Sequence, residues 1–331
     1  MNPLASITHR ATRGEGPYNI ITAPTHERYE TGLCNTGHNF FAVGHESFKT
    51  WKEQYAPVPK NYTILIPGSL FANLRYDFVL SQNKFGQFQV LSNVASQLHI
   101  PMISLEHTLP IHNWPKHMKE DLRNMRGNIN VFISEFSCKE WGFDLADEDT
   151  YVIHHAVDTE LFRPREQERK ARVLSVVNDW INRDYACGFN IWTRVSKGLP
   201  TYVLGDTPGL SKPAPSTEIL AQEYAESAIF LNTSTVSPIP TSLLEAMSAG
   251  CACVTTATCM IPEIVKNGEN GFITNDENEL RSYTQLLLKD ENLRKQLGEN
   301  ARKTVIEKFG MENFVNNWNN LFKKMEREYY K

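Results

Sequence analysis

Residues 237–250, SPIPTSLLEAMSAG, decide how this 331-residue chain reads. Pro240, followed by Thr241 and Ser242, starts a helix, because a proline ring presets the backbone angle of the first turn, where its missing N–H is not needed. Leu243, Leu244 and Met247 form the apolar face, and Gly250 stops the helix. The first turn of a helix leaves N–H groups without intrahelical acceptors at the positive end of the backbone dipole, so this start suits an anionic diphosphate. Glu245 follows one turn after Thr241 on the same side, where a carboxylate accepts two hydrogen bonds from neighbouring ribose hydroxyls. The same glutamate also reads as a plain complement to the helix dipole, so the stretch needs its context.

Outward from this helix, short β-branched or aromatic runs alternate with helical periods. Runs at 173–177, 201–204, 228–231, 252–255 and 271–273 form one series. An earlier series holds 18–23 (YNIITA), 38–43 (HNFFAV), 62–67 (YTILIP), 77–80 (DFVL), 102–105 (MISL) and 130–133 (NVFI), with helical periods at 88–98 and 116–125. Strands that alternate with helices predict mainly parallel sheets covered on both faces, with ligands at the carboxyl ends of the strands. Residues 158–170, DTELFRPREQERK, are polar, carry Pro164 and lack an apolar period, which predicts a hinge between two domains. At the far end Phe314, Val315, Trp318, Leu321, Phe322 and Met325 keep helical spacing, so a long amphipathic helix closes the chain. The expected division is 1–160, 161–310 and a C-terminal helix at 311–331.

Composition narrows the function classes. A hydrophobic share of 41% with 22% charged residues is that of a globular chain rather than a disordered one. No apolar run reaches the roughly 18 to 20 residues of a membrane span, and the start MNPLASITHRATRGEG lacks a continuous apolar signal core, so a cytoplasmic protein is expected. The six cysteines are scattered, and Cys251 and Cys253 sit in an apolar run as small core residues. A net charge of -4 gives no whole-molecule attraction to nucleic acid. Neither series opens on the GxGxxG turn of a dinucleotide-dependent oxidoreductase.

Taken in order, VFISEFSCKEW (131–141), VIHHAVDTELFRP (152–164), LNTS, PTSLLEAMSAG, CACVTTATCMIPEIV and KNGENGFI resemble the retaining family 4 (group 1) glycosyltransferases of GT-B fold. The resemblance implies an α/β fold class in which two Rossmann-like domains face a cleft, with the C-terminal helix crossing back. It implies transfer of a sugar from a nucleotide-sugar donor, a UDP-sugar by expectation, to an acceptor hydroxyl with retention and without a metal. Glu245 takes the role of ribose ligand, and the backbone from Pro240 through Thr241, Ser242 and Leu243 takes the phosphates. The family places a second glutamate eight positions earlier, where this chain has Ser237. SVVNDWINRD (175–184) stands where the family has an arginine and then a lysine against the leaving diphosphate; Asn178 replaces the arginine and Arg183 matches the lysine. A guanidinium fork suits that task. Gly205 and Asp206 close the strand that borders the nucleotide base.

On the acceptor side, ISLEHTLP (103–110) resembles the family's strand end that carries a sugar-contacting histidine, which makes His107 a catalytic candidate beside Arg183 and Glu245, with Glu106 preceding it. After the first strand the family has a Gly-rich loop, whereas this chain has His26, Glu27 and Arg28, which would reach an acceptor through side chains. The acceptor itself stays open between a glycan, a lipid-linked group and a modified DNA base. Phage-type enzymes that glycosylate hydroxymethylated DNA bases share the GT-B architecture, and Lys116, Lys119, Arg123 and Arg126 recur at helical spacing as a basic stripe for a membrane or nucleic acid. Ser237 and Asn178 keep a catalytically silent binding module as the other alternative.

Overall fold

The computed structural model describes residues 16–46, 48–82, 84–111 and 113–330. The stretch examined for a signal core lies almost wholly outside them. Two units separate: residues 1–154 with 312–331, and residues 155–311.

In the first unit the order is β1 (Asn19–Thr22), α1 (Glu27–Cys34), β2 (Asn39–Ala42), β3 (Tyr62–Ile64), β4 (Phe78–Ser81), α2 (Gln87–Leu98), β5 (Met102–Glu106), α3 (Lys116–Asn124), β6 (Ile129–Phe132), α4 (Glu135–Glu140) and β7 (Thr150–Val152). The strands form one sheet ordered β3-β2-β1-β4-β5-β6-β7, and every pairing is parallel. Each strand from β1 to β6 falls on a sequence run. β4 is buried at all four residues, as expected where helices cover both faces of a parallel sheet. β7 was not foreseen, since only three residues follow an acidic turn.

The second unit runs β8 (Lys170–Val176), α5 (Asp184–Cys187), α6 (Phe189–Val195), β9 (Thr201–Leu204), α7 (Thr217–Glu226), β10 (Ser227–Asn232), α8 (Thr241–Ser248), β11 (Ala252–Thr255), α9 (Ile261–Ile264), β12 (Phe272–Ile273), α10 (Glu277–Lys289) and α11 (Glu291–Phe309). Its sheet is ordered β12-β11-β10-β8-β9, again all parallel. Val173, Ile229, Leu231 and Val254 fill its centre, with Trp180 and Trp192 packed at 4.9 Å between ring centroids.

The closing helix α12 (Met311–Tyr329) belongs with the first unit. Its apolar spacing is used there: Phe322 stacks on Phe78 at 5.7 Å, Trp318 donates to the Tyr29 hydroxyl at 3.2 Å, and Trp318, Phe322 and Met325 are fully buried. Each such side chain contributes about 1.5–3 kcal/mol by leaving water.

The polar stretch expected as a hinge lies inside the second unit, because the boundary falls at 154/155. Phe162 is buried there, the Asp158 carboxylate caps a turn at Glu160 and Leu161, and Arg302 donates to the carbonyls of Thr159 and Phe162. These side-chain anchors need no apolar period, which is why the sequence reads as linker.

Candidate functional site

A parallel sheet binds ligands where strand order reverses, since the chain departs to opposite sides there and leaves a crevice at the carboxyl ends. In the second unit that point lies between β8 and β10, and α8 begins on the loop that leaves β10.

α8 starts as the sequence predicts. Pro240 is its N-cap and makes no side-chain capping bond, and among the described residues no hydroxyl or carboxylate accepts from the Thr241 or Ser242 amide. The Leu243 amide turns back to the Pro240 carbonyl at 3.0 Å. That bond removes Leu243 from the expected phosphate ligands and leaves the Thr241 and Ser242 amides at the helix's open end, both residues half-buried. At the other end Arg169 donates to Ala249 O at 2.5 Å and Arg302 to Ser248 O at 2.7 Å. Cations at the negative end of the dipole complement it and pin the helix. Glu245 is only 2% exposed, within the body of the unit.

The loop leaving β8 is clamped to the loop leaving β10. The Ala186 carbonyl accepts from the Thr235 and Val236 amides at 2.9 and 3.1 Å, and Thr233 donates its hydroxyl to Gly188 O at 2.9 Å. Gly188 has a φ of +63°, and a Cβ there would lie 2.0 Å from the Thr233 carbonyl oxygen, so only glycine fits. Arg183, at the cap of α5, is exposed and forms no ion pair among the described residues. Asn178 holds the neighbouring loop: its Oδ1 accepts from the Asp206 amide at 2.8 Å, while the Asp179 amide donates to Asp206 O at 2.8 Å. Gly205 permits that approach, because its φ is +123° and a Cβ would meet Val177 O at 2.0 Å. Thus Asn178, Gly205 and Asp206 form one bracket; Asp206 is exposed and Ser237 half-buried. His155, at 3.4 Å from the Thr241 hydroxyl through Nδ1, is a neighbour that sequence reading passed over although it lies in the quoted VIHHAVD run.

In the first unit the reversal lies between β1 and β4. His26, Glu27 and Arg28 follow β1, Gln82 follows β4 and His107 follows β5. His26 caps α1 by accepting from the Tyr29 amide at 3.4 Å. Burial, then the charges of Arg28 and Lys49, lower its pKa to about 4, so the ring is neutral at pH 7. His107 is half-buried, stacks on His26 at 6.1 Å and receives the edge of Tyr29 at 4.7 Å. Glu30, which sequence reading did not single out, is buried behind them. It accepts from the amides of Thr25 and His26, the Tyr62 hydroxyl at 2.8 Å and Gln82 Nε2 at 2.9 Å, and burial raises its pKa to about 7 against those bonds.

Two acceptor candidates are engaged within the fold. Glu106 is buried, accepts from the Thr108 hydroxyl at 2.6 Å and faces Lys84 at 3.8 Å; desolvation raises its pKa while Lys84 opposes the rise. Glu27 is buried, pairs with Lys49 at 2.9 Å and accepts from the Lys52 amide. Arg28 is half-buried. In the basic stripe Lys116 pairs with Glu120, Arg123 donates to Gly142 O at 2.6 Å, and Arg126 pairs with Asp149 at 3.0 Å over the Phe143 ring. Lys116, Arg123 and Arg126 therefore have partners inside the unit. The Asp-x-Asp triplet Asp147–Glu148–Asp149 precedes β7, and its Asp149 is the Arg126 partner. Among the described residues no three His, Cys, Asp or Glu groups gather as metal ligands, and no helix is long and apolar enough to cross a membrane.

Residues 214–304 match the family model described as glycosyl transferases group 1. The match contains Ser237, the start of α8 and Glu245, and leaves out Asn178, Arg183, Gly205, Asp206 and the first unit. N-acetyl-alpha-D-glucosaminyl L-malate synthase of Bacillus anthracis is 34% identical over 88 residues, 26% of this chain and 23% of that protein. The chain thus matches under a quarter of that relative's length. Among solved structures, HepE of Anabaena in complex with UDP and glucose aligns at a TM-score of 0.73 and 15% identity, over 93% of this chain and 99% of that one. Sucrose-phosphate synthase of Thermosynechococcus elongatus aligns at 0.70 and 13%, over 93% and 99%. A glycosyltransferase of Rickettsia africae aligns at 0.65 and 13%, over 95% and 100%. At these identities the likeness is one of fold: an α/β chain of two Rossmann-like domains, the GT-B class, with mainly parallel sheets.

Proposed function

We propose that this chain is a glycosyltransferase that takes a UDP-sugar and passes the sugar to an acceptor hydroxyl with retention. The observation that carries the reading is the start of α8. Two amides at a helix's positive end, uncapped by any side chain among the described residues, stand at the strand-order reversal with Glu245 one turn behind, inside the family-matched segment. HepE, of the same fold, holds UDP and glucose in its crystal, which favours that donor class.

In this reading the Thr241 and Ser242 amides and the Arg183 guanidinium take the diphosphate, Glu245 takes the ribose, and the Asn178–Gly205–Asp206 bracket borders the base. Bond cleavage at the anomeric carbon builds negative charge on the departing diphosphate. Fixed dipoles and a guanidinium stabilise that charge more than they stabilise the bound donor, which is what lowers the barrier. A diphosphate oxygen takes the acceptor's proton on the same sugar face, so no carboxylate nucleophile is required. His107, neutral His26 and Arg28 serve the sugar and acceptor side.

Nucleotide sugars screened for thermal stabilisation and slow hydrolysis test the proposal. A UDP-sugar should raise Tm and release free sugar, and Glu245→Ala should abolish both. Stabilisation without hydrolysis would identify a silent binding module, consistent with Ser237 and Asn178 standing where the family has Glu and Arg. No response to any nucleotide sugar would end the reading.

A further inference from the structure

The buried carboxylate of Glu30 reaches His107 through one intermediary. Gln82 is 2% exposed, and its carboxamide nitrogen donates to Glu30 Oε1 at 2.9 Å and to the Thr22 hydroxyl at 3.3 Å. Its carbonyl oxygen lies 3.3 Å from His107 Nε2. At pH 8, where the Glu30 carboxyl has passed its pKa of about 7 and is mainly ionised, an amide turned the other way would set its carbonyl oxygen against the carboxylate, two acceptors with no proton between them in a buried place. Glu30 cannot move aside, since its other oxygen accepts from the Thr25 and His26 amides at 3.0 and 3.2 Å and Oε1 also takes the Tyr62 hydroxyl. The orientation of Gln82 therefore follows from Glu30, and the proton position on His107 follows from Gln82. A carbonyl facing Nε2 requires an N–H there, and a neutral imidazole carries only one.

We infer that Glu30 and Gln82 are positioning residues that hold neutral His107 as the Nε2–H tautomer, making Nδ1 its accepting nitrogen toward a sugar hydroxyl. The side chain at position 82 thereby sets which hydroxyl geometry the ring can recognise. The last step rests on the glycosyltransferase reading; the tautomer itself does not.

The test is a two-bond proton–nitrogen correlation spectrum of the imidazole rings in uniformly 15N-labelled protein at pH 8, with His107 assigned from its absence in His107→Asn. Wild-type protein should show His107 protonated at Nε2 alone. Gln82→Met keeps the volume and removes the carbonyl, so Nδ1–H should become populated. Glu30→Gln offers Gln82 an N–H donor, which turns the amide round and should move the proton to Nδ1. Amide spectra outside this cluster check that the unit is folded; should Glu30→Gln fail that check, Gln82→Met decides. On UDP-sugar hydrolysis, Gln82→Met should lower kcat about tenfold with donor KM within about twofold, since the ring is altered and the diphosphate contacts are not. A wild-type ring protonated at Nδ1, or a Gln82→Met spectrum like wild type, overturns the inference. Absence of UDP-sugar binding in wild type would instead count against the functional reading, with the ring signature unchanged.

Discussion

Glu30 and His26 touch through a backbone bond, yet burial moves them in opposite directions, and this fixes how the stability of the first unit depends on pH. Glu30 rises from 4.5 to about 7 on folding, so its contribution is fully present below about pH 4.5 and is lost as pH climbs to about 7. His26 falls from 6.5 to about 4, so its contribution is present above pH 6.5 and is lost as pH drops toward 4. Between pH 4.5 and 6.5 the native state holds one more proton at Glu30 and one fewer at His26 than the unfolded chain. Each imbalance gives a slope of about 1.4 kcal/mol per pH unit, with opposite signs, so the two nearly cancel. Glu30→Gln should expose the His26 slope, with stability rising by about 3 kcal/mol from pH 4.5 to 6.5 relative to wild type. His26→Asn, which keeps a capping side chain, should expose the Glu30 slope and lose about 3 kcal/mol over the same range. Hydrogen exchange of the β1 and β4 amides as a function of pH reads the opening of this unit alone. Variants that track wild type in parallel across that window would refute the assignment of these two shifts.

Three further outcomes are expected. Gly188→Ala forces a Cβ to within 2.0 Å of Thr233 O at positive φ, and thermal denaturation should show a loss of about 2 kcal/mol or more, where an unchanged Tm would contradict the clamp. Arg183→Gln removes an exposed guanidinium with no ion pair among the described residues, so stability should stay within about 0.5 kcal/mol while UDP affinity, by calorimetry, falls about tenfold or more. Arg126→Ala breaks the Asp149 pair and the Phe143 contact and should cost about 1 kcal/mol of stability, leaving DNA retention at low salt unchanged if the stripe is structural.

Much of the fold was legible because parallel sheets write themselves as short apolar runs: eleven of the twelve strands among the described residues fall on such runs, and β4 and β10 are buried at every residue. β7 escaped because half-exposed Tyr151 and Val152 after an acidic turn leave too short a pattern. The polar 158–170 stretch misled because its anchors are Asp158 and the distant Arg302, pairings that local sequence does not display. At the proposed site, sequence reading could group Pro240, Thr241, Ser242 and Glu245 because all four lie within the first two turns of one helix start. Leu243 was assigned a ligand role that its bond to Pro240 removes, and Asn178, read as a weakened cation position, turns out to brace Asp206. The Glu30–Gln82–His107 chain was invisible, since its members lie on three segments joined only by the β1-β4-β5 order of the sheet.

The central claim is that the start of α8 grips a nucleotide's diphosphate, and amide chemical shifts during UDP titration test it most directly. The Thr241 and Ser242 amides should move furthest downfield and saturate together. UDP binding that leaves both unmoved, with the shifts gathered elsewhere, would contradict the account.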